Sequence, residues 1–136
     1  MYLIDGYNLL YQTNIETREE LLDSLGIFLR NVNKTGLVIF DGYAPEDLSS
    51  AILEVEFVGD ADLEIIKIMQ KNKNPNSLIL VSSDKELIYE ANQNKIKVIK
   101  SEHFVFLTPQ EDMTAEASEK PEPGGETLAD YNNFKK

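Results

Sequence analysis

Three short apolar runs in this chain are each followed by an acidic residue. Each run is too short for a helix and is continuously apolar, which is typical of a strand buried on both faces of a parallel sheet. The runs are residues 2–4 before Asp5-Gly6, 37–40 before Asp41-Gly42, and 78–81 before Ser82-Ser83-Asp84. Because parallel strands end at the same edge of a sheet, we expect these carboxylates to gather there.

Helical patterns alternate with these strands. Thr17 and Glu20 form a capping-box pattern, and an apolar stripe follows it to about Asn31. A second helix opens in residues 59–62, where acids in the first turn suit the helix dipole. A third begins at residues 83–86, another capping box, with Ser83 predicted as the cap and Asp84 as the first helical residue. Residues 11–15 are predicted to be a polar connection.

Two further strands complete the pattern. Residues 52–58 alternate apolar and acidic side chains, as a half-exposed edge strand does, and residues 96–99 form a short fifth strand. Alternating strands and helices predict an α/β fold: a three-layer α/β/α sandwich with a doubly wound parallel sheet of about five strands. The third layer follows from helices covering both faces of such a sheet.

The composition changes towards the end of the chain. Residues 108–136 are rich in proline, glycine and acidic side chains and poor in large apolar ones, so they cannot repay the entropy of ordering. We therefore expect one folded domain, residues 1–107, followed by an acidic disordered tail, residues 108–136.

Charge restricts the ways in which this chain can bind nucleic acid. The formal net charge is −11, and residues 1–108 alone carry 17 acids against 10 Lys and Arg, a difference of −7. Loose, purely electrostatic binding to nucleic acid is therefore disfavoured, and any contact must be local and metal-assisted. The chain has no cysteine, which excludes disulfides, thiolate chemistry and Cys-ligated zinc.

We do not expect the first residues to act as a signal peptide, because no basic segment precedes the apolar run and Asp5 and Asn8 interrupt it. No stretch approaches the roughly 20 apolar residues that a spanning helix needs. We expect a soluble, cytoplasmic protein.

Four aspartates are the candidate functional residues. In the predicted fold Asp5, Asp41, Asp62 and Asp84 surround one crevice, and oxygen-only ligands of this kind suit Mg²⁺ or Mn²⁺. Such a site activates water and stabilises charge on a phosphodiester. Each aspartate also has an ordinary explanation, as a turn residue or as an acid in the first turn of a helix.

The motifs resemble those of a known family. Asp5-Gly6-Tyr7-Asn8, Phe40-Asp41, Ala61-Asp62 and Ser82-Ser83-Asp84, in this order, look like the NYN domain of the PIN-like nuclease superfamily, in its YacP-like branch. The resemblance covers roughly residues 1–105. It implies a metal-dependent endoribonuclease acting on single-stranded RNA, such as mRNA, and some members of that branch are linked to translating ribosomes.

The resemblance also implies roles for individual residues. Asp5, Asp62 and Asp84 would be the metal ligands, Asp41 a fourth acid of the catalytic site, and Asn8 a residue that orients a ligand or touches a phosphate. This chain departs from the family at Leu63, where a second acid often follows the Ala-Asp motif. Asp60 or Glu64 would then substitute, and the family's basic residues near the last strand are represented only by Lys97 and Lys100.

Other candidates have simpler interpretations. Lys85 is a candidate phosphate contact, but a solvated helix lysine is the ordinary alternative. His103 has no partners for a triad. Tyr7 and Tyr43 are candidates for base stacking or for simple packing.

The alternative function is a PIN-like domain that no longer cleaves and serves as an RNA- or ribosome-binding adaptor, with the acidic tail recruiting a partner. A haloacid-dehalogenase-type phosphatase is disfavoured because the first strand lacks a D-x-D pair, and a receiver domain because no acidic pair follows that strand.

Overall fold

A five-stranded parallel sheet forms the centre of residues 1–106, the part of the chain that this computed structural model describes. Its strands are β1 Tyr2–Asp5, β2 Gly36–Asp41, β3 Leu53–Val58, β4 Ile79–Val81 and β5 Lys97–Ile99. The helices are α1 Gly6–Tyr11, α2 Arg18–Val32, α3 Ala61–Lys71 and α4 Lys85–Gln93, with short 3₁₀ turns at Pro75–Ser77 and Ser101–His103. The predicted α/β fold is confirmed, whereas the predicted tail and domain boundary lie outside the described residues.

The order of the strands places β1 at the centre of the sheet. The order is β3-β2-β1-β4-β5, and all neighbours pair in parallel. From β1 the chain therefore adds β2 and then β3 on one side of the sheet. Helix α3 leads back across the sheet, and β4 and β5 are added on the other side of β1. Strand order thus reverses between β1 and β4. Ligands of open α/β sheets bind in the crevice outside the strand ends at such a point.

Helices cover both faces of the sheet. On one face Leu3 and Ile39 belong to a buried cluster that includes Ile65 of α3 and Leu87 of α4. Alternation along β1 turns Tyr2 to the opposite face. There its ring meets Phe28 of α2 edge-on, with 5.5 Å between the ring centroids. Within residues 1–106 no helix is long and apolar enough to cross a membrane.

The structure differs from the sequence prediction at two helices, one that was not predicted and one whose cap was misplaced. A short helix, α1, begins immediately after Asp5, before the predicted polar connection at residues 11–15. The cap of α4 is Asp84 rather than Ser83, and its Oδ1 accepts hydrogen bonds from the backbone N–H groups of Glu86 and Leu87. Ser83 does not cap the helix because its hydroxyl takes part in other contacts. The capping box of α2 at Thr17 and Glu20 is confirmed.

Candidate active site

Asp5 lies at the point where the strand order reverses. It is the last residue of β1 and is only 8% exposed. Burial raises the pKa of its carboxyl from 3.8 to about 6, and the hydrogen bond from Ser82 opposes that rise. The charges of the other three candidate aspartates, Asp62, Asp84 and Asp41, raise this pKa further. The other three sequence-predicted acids therefore lie near enough to Asp5 to act on its charge, at the same edge of the sheet.

Asp62 occupies the first turn of α3 and is partly buried. Burial raises its pKa, followed by the charges of Asp84, Asp41, Asp60 and Glu86 in that order. Glu86 was not among the sequence-predicted site residues, because the capping-box pattern explained it fully. The pKa of Glu56 of β3 is raised mainly by burial, and the charge of Glu64, the proposed substitute acid, adds to that rise.

Three of the acids at this edge also accept hydrogen bonds from the backbone. Oδ1 of Asp41 accepts from the N–H of Ala61 at 2.7 Å, which ties the end of β2 to the start of α3. Asp60 caps the same helix by accepting from the N–H of Leu63 at 3.1 Å. Asp84 caps α4 in the same way. These bonds fix the carboxylates in place and also give each one a structural role.

Ser82 connects two of the aspartates. It is fully buried, and its hydroxyl donates to Oδ2 of Asp5 at 3.0 Å. The hydroxyl oxygen of Ser82 in turn accepts a hydrogen bond from the backbone N–H of Asp84 at 3.0 Å. One hydroxyl thus positions both the Asp5 side chain and the backbone that carries Asp84. The sequence motif Ser82-Ser83-Asp84 gives no sign of this role, since serine after a strand is common in turns.

Asn8 joins three segments of the chain. Its Oδ1 accepts from the backbone N–H of Ser83 at 2.9 Å and from the hydroxyl of Ser101 at 2.6 Å. The Ser83 hydroxyl accepts the N–H of Ser101 at 2.9 Å and donates to Glu102. That bond lowers the pKa of Glu102. Asn8 therefore links α1 to the loop after β4 and to the turn after β5.

The basic candidates lie at the surface. Lys85 is exposed at the start of α4, directly after Asp84. Lys97, Lys100 and His103 are also exposed, on β5 or in the turn beyond it. Among the aromatic candidates, Tyr43 is 83% exposed in the loop after β2, whereas Tyr7 is partly buried against Phe40, with 4.8 Å between the ring centroids.

The donor set fits a hydrated hard cation. All candidate ligands are carboxylate oxygens, which Mg²⁺ and Mn²⁺ prefer, and Mg²⁺ usually retains several waters when bound by one or two carboxylates. In residues 1–106 no three acidic or imidazole side chains are close enough to hold an ion together. The fit to such an ion therefore rests on the chemistry of the donor atoms and not on an enclosed set of ligands.

Comparison with known proteins supports the fold. No protein-family model matches this sequence, and no curated protein matches it. The structure is similar to the crystal structure of Rae1 (YacP) from Bacillus subtilis, with a TM-score of 0.64, 18% identity, and coverage of 76% of this chain and 70% of that chain. A single-substitution variant of the same protein matches with a TM-score of 0.60 and 19% identity, over 75% of this chain and 69% of that chain. This chain therefore shares the fold of the Rae1 (YacP) structures, the fold that its motifs predicted.

Proposed function

We propose that this protein is a Mg²⁺- or Mn²⁺-dependent endoribonuclease that hydrolyses phosphodiester bonds in single-stranded RNA. The burial of Asp5 among three other aspartates at the reversal of strand order is the observation that carries the proposal. These surroundings disfavour the ionised forms of Asp5 and Asp62, and a bound divalent cation would offset that effect. The similarity of the fold to Rae1 (YacP) supports this assignment.

In this proposal Asp5, Asp62 and Asp84 hold the ion, directly or through water, and Asp41 is the fourth acid. The ion, when bound, supplies an activated water and neutralises charge on the phosphate. Oδ2 of Asp5 is held by the Ser82 hydroxyl, and the bond from Ala61 to Asp41 fixes the helix start that carries Asp62.

Asn8 and Lys85 complete the proposed site. Asn8 orients the loop that carries Asp84, because its amide oxygen holds the neighbouring N–H of Ser83. Lys85 is exposed directly after Asp84, where its ammonium can contact a substrate phosphate. The proposed setting is the cytoplasm, with mRNA as the substrate and the translating ribosome as the partner.

Cleavage of a mixed-sequence single-stranded RNA with Mg²⁺ or Mn²⁺ tests the proposal. The native chain is compared with Asp5→Asn and Asp84→Asn, and with Asp23→Asn, an exposed acid of α2, as the matched control. Asparagine at position 84 retains helix capping, so loss of activity there reports the charge rather than an unfolded helix. We expect cleavage by the native chain and the control, and a loss of at least about a hundredfold in both site variants, the size of effect that essential catalytic groups have.

A second function, that of an adaptor that binds RNA or the ribosome without cleaving, is favoured by a separate observation. Asp41, Asp60 and Asp84 each accept backbone N–H groups, and Leu63 is 51% exposed where a further acid would stand.

Thermal unfolding with and without Mg²⁺ separates the two functions, because an ion that binds only the folded state raises the unfolding temperature. Stabilisation that disappears in Asp5→Asn supports the nuclease. An inert native chain that Mg²⁺ does not stabilise supports the adaptor.

A further inference from the structure

A row of four aromatic rings extends from the buried sheet to the surface along α1, the helix that follows Asp5. Tyr11 stacks on Tyr7, with 5.8 Å between ring centroids and an 18° interplanar angle. Tyr7 meets Phe40 at 4.8 Å, and Phe40 stacks on Phe57 at 5.2 Å and 20°. Phe40 is fully buried, whereas Tyr11 is 76% exposed. This aromatic row, Tyr11-Tyr7-Phe40-Phe57, is therefore fixed at its inner end and open at its outer end.

Arg18 holds the row in place. Its Nη1 donates to the hydroxyl of Tyr7 at 3.2 Å, and its guanidinium carbon lies 5.0 Å from the centroid of the Phe57 ring. Contact of a guanidinium with an aromatic face is itself attractive. Because Tyr7 is fixed by Arg18 and by Phe40, the ring that stacks on it, Tyr11, has a supported inner face. Its exposed side is then presented with little loss of side-chain freedom on binding.

The aromatic row and the proposed catalytic acids are carried by elements that meet where β1 and β2 end. Helix α1, which carries Tyr7 and Tyr11, begins directly after Asp5, and Phe40 precedes Asp41 on β2 with its side chain on the opposite face of the sheet. Tyr11 stands one helical turn beyond Tyr7, about 6 Å along the axis of α1. An RNA strand whose phosphate reaches Asp5 can therefore place the base of a nearby nucleotide on Tyr11, around the end of the sheet.

The charge of the folded part favours stacking over phosphate binding as the source of affinity. Residues 1–108 carry 17 acids against 10 Lys and Arg, so the surface lacks the excess of positive charge that binds phosphates through counterion release. Stacking of a base on an aromatic ring needs no such excess and tolerates any sequence, because every base has a π-face.

We propose that Tyr11, supported by Tyr7 and Arg18, is a stacking platform for an unpaired base of the RNA substrate. This inference rests on the proposed function, since it names how that site holds its single-stranded substrate. Double-stranded RNA has no base free to stack, so the platform also selects against duplexes.

Binding of a short fluorescein-labelled single-stranded RNA, followed by anisotropy with Mg²⁺ present, tests the platform. The measurements use the full-length Asp5→Asn variant as the parent, so that cleavage does not interfere. Tyr11→Ala removes the ring, Tyr11→Phe keeps it, and Tyr11→Leu keeps apolar bulk without a π-face. Tyr89→Ala is the matched control, because Tyr89 is a tyrosine of α4 that is 60% exposed.

We expect Tyr11→Ala and Tyr11→Leu to raise the Kd roughly 5- to 100-fold, the range that alanine substitution gives at stacking sites. Tyr11→Phe and the Tyr89 control should stay within about twofold of the parent. With an RNA of the same length that carries abasic sites, Tyr11→Ala should have no further effect, since the interaction partner is already missing.

Three results would overturn the platform: a parent protein that binds no RNA, full affinity in Tyr11→Leu, or an equal loss with abasic RNA. Failure of the native chain to cleave contradicts the nuclease instead. In that case the binding series still decides the platform, because it involves no cleavage.

Discussion

The two sides of Asp5 are built from different interactions. On the side of β4 and β5, hydrogen bonds join Ser82, Asn8 and Ser101, which are far apart in the chain. On the side of β2 and β3, aromatic rings stack from Phe57 and Phe40 outward to Tyr7 and Tyr11. The first side is polar and directional, whereas the second is apolar and depends on shape.

This difference separates positioning from exposure. A hydrogen bond fixes an oxygen within a few tenths of an ångström, which suits the loop beside Asp5 that must hold Asp84. Ring stacking tolerates sliding but presents a broad face, which suits contact with a flexible substrate. Asp5 lies where the two sides meet, and the hydrogen bond from Ser82 holds its carboxyl from the polar side. Three substitutions, one at the meeting point and one on each side, separate these contributions.

Asp5→Asn should have the largest effect and should stabilise the protein at neutral pH. The folded state holds a proton on Asp5 up to about pH 6, whereas the unfolded chain releases it near 3.8, so the free energy of unfolding falls as pH rises between these values. Removing the charge should raise the free energy of unfolding by up to about 3 kcal/mol at pH 7, because each pKa unit corresponds to about 1.4 kcal/mol. Urea unfolding of both proteins from pH 4 to 7.5 measures the difference.

Asp23→Asn is the control for this series, and its free energy of unfolding should follow that of the native protein at every pH. A difference between native and Asp5→Asn that stays constant from pH 4 to 7.5 would contradict the raised pKa.

Gly6→Ala should break the aromatic side. A Cβ at Gly6 would lie 2.4 Å from Cε1 of Phe40, so the Phe40 ring and the Tyr7 ring against it must move. Overpacking of this kind costs about 2 kcal/mol of the free energy of unfolding, which urea denaturation measures. Gly26→Ala in α2 is the control, because its nearest neighbour would be Nη1 of Arg30 at 3.8 Å. There the helix propensity of alanine should add about 1 kcal/mol. Equal stability of the two variants would argue against the close packing at Gly6.

Asn8→Ala should break the polar side with the smallest loss of the three. It removes the acceptor of the Ser83 N–H and of the Ser101 hydroxyl, the latter on a residue that is 1% exposed. Leaving such donors unpaired costs about 1.5 kcal/mol, and amide hydrogen exchange at Ser83 should accelerate. Asn92→Ala, on the exposed face of α4, should change stability by less than about 0.5 kcal/mol. Unchanged exchange at Ser83 would show that Asn8 does not hold this loop.

Much of the fold was predictable because the strand signals are strong. Residues 37–40 and 78–81 are apolar on both faces, and Thr17 with Glu20 marks the start of α2. The short helix α1 was missed, since its six residues follow the strand without a side-chain cap and its sequence reads as a continuation of an apolar run. The cap of α4 was misplaced by one residue because Ser83 and Asp84 are both good caps.

The sequence by itself determined the succession of strands and helices along the chain and the aspartates at the strand ends, because both follow from local periodicity and turn chemistry. The tertiary structure alone decided that Ser82 holds Asp5, that Asn8 joins two distant loops, and that Tyr11 stacks on Tyr7. The contact of Ser82 with Asp5 and that of Asn8 with Ser83 each join residues more than seventy positions apart, which no local pattern encodes. The tyrosine pair is local, but its support by Phe40 depends on the neighbouring strand. The raised pKa of Asp5 likewise arises from burial and from charges that only the folded sheet brings together.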